Sequence, residues 1–175
     1  KQTVGRRRLG EDGAKGGCLG RFLKNTRVRC QEMLEYASQR IGKVATGLHV
    51  LAIQDTTEVN YQAHANKVSG LGKAGNGKDA GFFLHPVIAV DSQSQALLGI
   101  CCARIWQRFQ KEAPHYKQLP LEEKESYRWL ERADKAKAAL AQARCVTIIG
   151  DRESDIYQAW VHIPDEKTHL LIRAG

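Results

Sequence analysis

The chain has 175 residues, 42% of them hydrophobic and 26% charged, with a formal net charge of +8. That length allows one well-buried α/β domain with a short appended segment, and the apolar fraction argues against disorder. No apolar run approaches the roughly 20 residues that span a bilayer, and Arg6-Arg7-Arg8 leads into glycine-rich sequence instead of the apolar core of a signal peptide, so a soluble cytoplasmic protein without a membrane partner is expected.

Residues 1–30 hold nine basic side chains against two acids, nearly the whole positive excess. Clustered Lys and Arg release counterions from nucleic acid, so Arg6, Arg7 and Arg8 are candidate DNA contacts; a solvated basic tail is the competing reading. Six glycines within residues 1–20 predict flexibility. A helix is expected over 26–41, with Met33, Leu34, Ala37 and Ile41 on one face and Asn25 or Thr26 as its N-cap.

The period then changes. Leu48–Ile53 is a short run of strand formers that ends at Gln54-Asp55-Thr56-Thr57. Residues 69–81 form a glycine-rich stretch expected to be a mobile loop. Two further strands are expected at 82–90 and 96–106, joined by the polar turn 91–95 and therefore antiparallel. Pro86 removes a ladder donor, which points to a bulge or a strand start. Residues 121–144 are rich in Glu, Lys and Ala and predict a helix, with Tyr127, Leu130, Ala133 and Leu140 buried and the charges facing away. Cys145–Ile149 is a fourth strand, ending at Gly150-Asp151; a short helix through Trp160 precedes a fifth, His169–Ile172. Trp106, Trp129 and Trp160 are expected in the core.

The five cysteines (18, 30, 101, 102, 145) show no C-x-x-C spacing. Cys101 and Cys102 lie in an apolar run and, as strand neighbours, are expected on opposite faces as reduced core thiols. The six histidines are scattered without ligand spacing, which argues against a zinc site.

The expected order is β-β-β-α-β-α-β, an α/β chain with the mixed sheet of a ribonuclease H-like fold. A helical crossover joins the third and fourth strands, as parallel pairing requires. Residues 1–45 are expected to form a basic, partly helical N-terminal segment, a partial DNA-binding region, and 46–175 the α/β domain. Asp55 and Asp151 each follow an apolar strand. If strands one and four are parallel neighbours, both carboxylates emerge at one sheet edge, where α/β sites gather. Two close carboxylates call for a hard cation between them, and paired cations clamp the attacking and leaving oxygens of an in-line phosphoryl displacement. The bland alternative for either aspartate is turn chemistry.

Leu51-Ala-Ile-Gln-Asp55-Thr-Thr-Glu58 and Ile149-Gly-Asp151-Arg-Glu-Ser-Asp155-Ile-Tyr157 resemble the DDE transposases of the bacterial insertion-sequence-four family, the Tn-five transposase type. Glu123-Lys-Glu-Ser126 with Trp129, and Arg21-Phe-Leu-Lys-Asn25, extend the resemblance over residues 20–175. It implies a cut-and-paste enzyme of the bacterial cytoplasm that nicks and joins double-stranded DNA at transposon ends. It implies further that Asp55 and Asp151 are the first two catalytic acids, binding two Mg²⁺ or Mn²⁺ ions, and that the complete enzyme acts as a homodimer. The family's third acid stands in a motif of Tyr, two residues, Arg, three residues, Glu, six residues and Lys. None of the tyrosines (36, 61, 116, 127, 157) has Arg at the third following position, so the resemblance implies a catalytic domain truncated before that acid and inactive alone.

Arg152 and Arg173 flank the two aspartates and are candidate phosphate contacts. Lys73 and Lys78 are further candidates through the resemblance, which puts the glycine-rich stretch near DNA. Glu153 and Asp155 are candidate supporting groups, Asp155 alternatively starting the next helix. Gly70-Leu-Gly72-Lys-Ala-Gly75 matches G-x-G-x-x-G but is followed by a strand, and Asp79 stands where a P-loop needs Ser or Thr, so no nucleotide site is expected. The competing functions are another ribonuclease H-like nuclease or integrase using the same acids, and a catalytically inactive DNA-binding remnant.

Overall fold

A computed structural model describes residues 13–65, 67, 69–75, 77–108 and 118–173. The chain divides into two compact units, Lys1–Tyr36 and Ala37–Gly175. The first holds helix α1 (Gly13–Lys24) and the start of α2 (Cys30–Val44). Residues 1–12 lie outside the described residues, and over residues 13–20, where flexibility was expected, the chain is helical. Despite four glycines this segment is helical, with Arg21 and Lys24 in the last turn where the helix dipole favours cations. Asn25 does not cap α2. Its Oδ1 accepts from the Arg27 amide at 3.0 Å, an Asx turn in the link between the helices.

The second unit carries β1 (His49–Gln54), β2 (Thr57–Asn60), β3 (Gly72–Lys73), β4 (Ala80–Asp91), β5 (Leu97–Trp106), α3 (Arg128–Ala139), β6 (Cys145–Gly150), α4 (Tyr157–His162) and β7 (Thr168–Ile172). Among the described residues the fold is α/β, with one mixed sheet of seven strands and four helices. β1 is parallel to β6 and β6 to β7, while β4 runs antiparallel to β1 and β5.

Two strands were not expected. β2 pairs with β4 through Thr57↔Leu84, in the same register as the β1 pair Gln54↔Val87. β1 and β2 are thus one strand interrupted at Asp55-Thr56, and continuation of the register sets Asp55 opposite Pro86. β5 takes the other edge of β4, so the longer strands lie in the order β5-β4-β1-β6-β7. β3 lies within the stretch expected to be a mobile loop and pairs with Gly81 and Ala80. A Cβ at Gly72 would come within 2.7 Å of the Gln107 Cβ, and one at Gly81 within 2.5 Å of the Val59 carbonyl. Those glycines serve close backbone packing.

Pro86 sits inside β4, paired with Ala103 and one residue before the β4–β5 register shifts at Val87/Ile88. There Val87 opposes Cys102 and Ile88 opposes Ile100, which leaves Cys101 as the extra residue of a bulge. The bulge breaks the alternation expected of Cys101 and Cys102, and both are buried. Burial holds the two thiols neutral, pushing Cys101 up to about 12 and Cys102 to about 11.

The helix expected over 121–144 is shorter. Leu121–Glu123 and Glu125–Tyr127 are 3₁₀ turns, and α3 begins only at Arg128. Its buried face also differs, because Arg128 and Arg132 are buried with Trp129, Leu130, Ala133 and Ala136. The four apolar ones join Ile41, Ala45, Val50, Ala52, Val87, Ala89, Val146 and Ile148 in a single core on one sheet face. Trp129 is fully buried, so truncation to Ala would cost roughly 3–5 kcal/mol. Trp160 is 47% exposed, against expectation, since the six-residue α4 buries only Ala159. Among the described residues no helix is long and apolar enough to cross a membrane.

Candidate functional site

β1 and β6 run side by side with Ile53 paired to Ile149. Asp55 and Asp151 each stand two residues further on, at matching positions on strands roughly 4.8 Å apart. On both strands the alternation also sends them the same way. Gln54 and Thr56 are both hydrogen-bonded to the buried His85, so Asp55 between them is directed to the face opposite the core. Gly150 is buried, so Asp151 is directed to that same face. Arg173 joins the row, because Ile172 pairs with Gly150 and the Arg173 amide donates to the Gly150 carbonyl at 3.3 Å.

Each aspartate is held by its own turn. Asp55 Oδ1 accepts from the Thr56 amide at 2.7 Å. Asp151 caps the 3₁₀ turn Arg152–Ser154, its Oδ1 accepting from the Glu153 amide at 2.8 Å and its carbonyl from Ser154 Oγ at 2.6 Å. Among the described residues neither carboxylate engages its second oxygen. Two hard oxygen donors facing one space fit Mg²⁺ or Mn²⁺, with water and phosphate oxygens completing the shell. Among the described residues no group of three or more His, Cys, Asp or Glu side chains is gathered for a metal.

Behind the aspartates runs a buried network that the sequence reading missed. His85 is fully buried and lies edge-on to Trp129, with ring centroids 4.5 Å apart. Burial, with Arg128, Arg132 and Arg104 adding to it, lowers its pKa to about 3. A neutral imidazole donates once and accepts once. Gln54 Oε1 at 3.2 Å takes the Nε2 proton, so Nδ1 accepts from the Thr56 hydroxyl at 2.8 Å. That hydroxyl in turn accepts from Arg128 Nε at 3.0 Å. The Arg128 guanidinium also donates to the Glu125 carbonyl at 3.0 Å and to Glu153 Oε2 at 2.6 Å. It lies 5.3 Å from the ring centre of Trp129 and 5.7 Å from that of Trp106. The only outward sign in the sequence was three polar residues, Gln54, His85 and Arg128, within apolar patterning. An arginine on a helix is ordinarily read as solvent-facing.

The other candidates are dispersed. Arg152 is exposed in the turn after Asp151, and Asp155 accepts from Trp160 Nε1 at 2.9 Å instead of starting a helix. Lys73 in β3 pairs with Ala80, next to Gly81, whose partner Asn60 lies five residues beyond Asp55. Lys73, one residue further still, is therefore roughly 20 Å along the sheet from the aspartate row. Lys78 is exposed in the turn leading into β4. Arg6, Arg7 and Arg8 lie outside the described residues. No model of a known protein family matches the chain.

Proposed function

We propose that residues 46–175 are the ribonuclease H-like catalytic domain of a DDE-type cut-and-paste transposase, with Asp55 and Asp151 as its first two metal-binding acids. The observation that carries this reading is the shared register of the two aspartates at the carboxyl ends of adjacent parallel strands, facing one side of the sheet. The strand order β5-β4-β1-β6-β7, with three antiparallel-linked strands followed by helical crossovers, supports the ribonuclease H-like assignment. The resemblance of the segments around both aspartates supports the transposase assignment over other phosphoryl-transfer enzymes.

In this reading Asp55 and Asp151 hold Mg²⁺ or Mn²⁺ through the oxygens that the Thr56 and Glu153 amides leave open. Such ions, when bound, would supply Lewis-acid stabilisation of the charge that develops at a DNA phosphate during in-line displacement. Arg173, in the aspartate row, and Arg152, one residue past Asp151, neutralise the phosphodiester drawn to that centre. The third acid implied by the resemblance has no counterpart motif in these 175 residues, so this chain binds metal and double-stranded DNA without cutting it.

Isothermal titration of Mn²⁺ tests the assignment. The unsubstituted chain should bind saturably, and Asp55→Asn or Asp151→Asn should each weaken binding at least tenfold, roughly 1.4 kcal/mol. Equal affinity in all three removes the proposal. Strand cleavage by this chain would contradict the missing third acid and point instead to another ribonuclease H-like nuclease.

A further inference from the structure

We infer that Arg128 is a positioning residue that fixes the Asp55 and Asp151 strand ends relative to each other, with Thr56 and Glu153 as its two handles. Sheet hydrogen bonds hold β1 and β6 together only as far as the Ile53–Ile149 level. Beyond it Asp55 is held by its own turn and by the pairing of β1 and β2 with β4, and Asp151 by its turn and the β6–β7 bonds; none of these joins one aspartate's strand end to the other's. Arg128 spans the gap from outside the sheet. Nε binds the hydroxyl of the residue after Asp55, and a terminal nitrogen binds the carboxylate two residues after Asp151.

The guanidinium suits this task. It is planar, so the two bonds leave it in fixed directions. Its side chain is only 8% exposed, and a third bond, to the Glu125 carbonyl, anchors it to the turn before α3. Thr56 is itself fixed from behind by the neutral His85, whose other nitrogen holds Gln54. The two residues flanking Asp55 are therefore tied to one imidazole, and that imidazole to Arg128 through Thr56. Lysine cannot replace this arrangement, because a single ammonium on a flexible stem has no planar fork.

The consequence rests on the proposed function, since a metal-binding pair needs a fixed carboxylate separation. The linkage itself can be measured without metal. Side-chain carboxyl ¹³C resonances of Asp55 and Asp151 report the two ends, with Asp91 and Asp165 as distant controls. In Arg128→Lys and Arg128→Met both reporters should move while the controls stay. Glu153 is 65% exposed, so Glu153→Ala should fold even if the arginine variants do not. It should displace the Asp55 resonance across the strand gap, and this response should vanish in the Arg128→Met background. An Asp55 resonance unmoved by Glu153→Ala, or controls that shift as much as the reporters, overturns the inference. Mn²⁺ added to the unsubstituted chain should broaden both reporters; broadening of neither defeats the transposase reading, a result distinct from loss of the linkage.

Discussion

Asp55 and Asp151 stand at matching positions on adjacent parallel strands, each two residues past the paired Ile53 and Ile149. Without a cation two carboxylates so placed repel each other, and neither is fully buried. Replacing either with Asn should therefore change stability by no more than about 0.5 kcal/mol in metal-free buffer. Asn caps a turn as well as Asp does, which covers the role of Asp151 in its 3₁₀ turn. Thermal unfolding with a chelator present checks this; a large loss would give the aspartates a structural role.

DNA binding should be steeply salt-dependent. If Arg152 and Arg173 meet phosphates, alanine at either position should reduce the slope of log K against log salt by about 1 and weaken binding to all sequences alike. Fluorescence anisotropy with duplex DNA at several salt concentrations measures the slope. An unchanged slope removes that arginine from the interface.

His85 makes stability pH-dependent. Its folded pKa, about 3, lies below its unfolded value of 6.5, so between these limits the unfolded chain binds the extra proton. Stability should therefore fall as pH drops from 6.5 towards 3, by up to about 1.4 kcal/mol per unit, and His85 should contribute no pH dependence above that window. Urea unfolding at pH 4–8 should show a flatter profile in His85→Asn. An equally steep profile would mean that another group is responsible.

Gly150 has no room for a side chain. A Cβ there would lie 2.9 Å from the Ser154 Cβ and 3.4 Å from the Trp129 ring. Gly150→Ala should cost about 1–3 kcal/mol and displace Ser154 from the Asp151 carbonyl. Calorimetry and Mn²⁺ titration should then show lowered stability and weakened metal binding together. Unaltered values of both would mean that the turn relaxes freely.

The cysteines should divide by environment. Cys18 and Cys30 are exposed and should alkylate rapidly at pH 8, whereas the buried Cys101 and Cys102, pushed up to about 12 and 11, should stay unmodified until the chain unfolds. Peptide mass spectrometry after a brief pulse reads this directly. Rapid labelling of Cys101 would contradict the bulge that buries it.

Much of the architecture was written in local pattern. The five longer strands, the turn between β4 and β5 and the helical crossover came from apolar runs and turn residues, which act over short distances. The helix starting at Arg128 was misjudged because propensity cannot show that residues 121–127 wind as 3₁₀ turns. β3 was missed because a glycine-rich stretch carries no strand signal, and only its partner strand and the tight approaches at Gly72 and Gly81 create one.

The sequence by itself determined which carboxylates end which strands, because an acid closing an apolar run is a local event. Only the tertiary structure decided that the two ends share a register, that Pro86 falls opposite Asp55, and that Arg128 is buried and bonded to a residue beside each end. Register comes from pairing between residues 96 apart in the chain, such as Ile53 and Ile149. Arg128 tolerates burial because Thr56, Glu125 and Glu153, brought from three separate segments, satisfy its donors. No window of sequence contains those partners together.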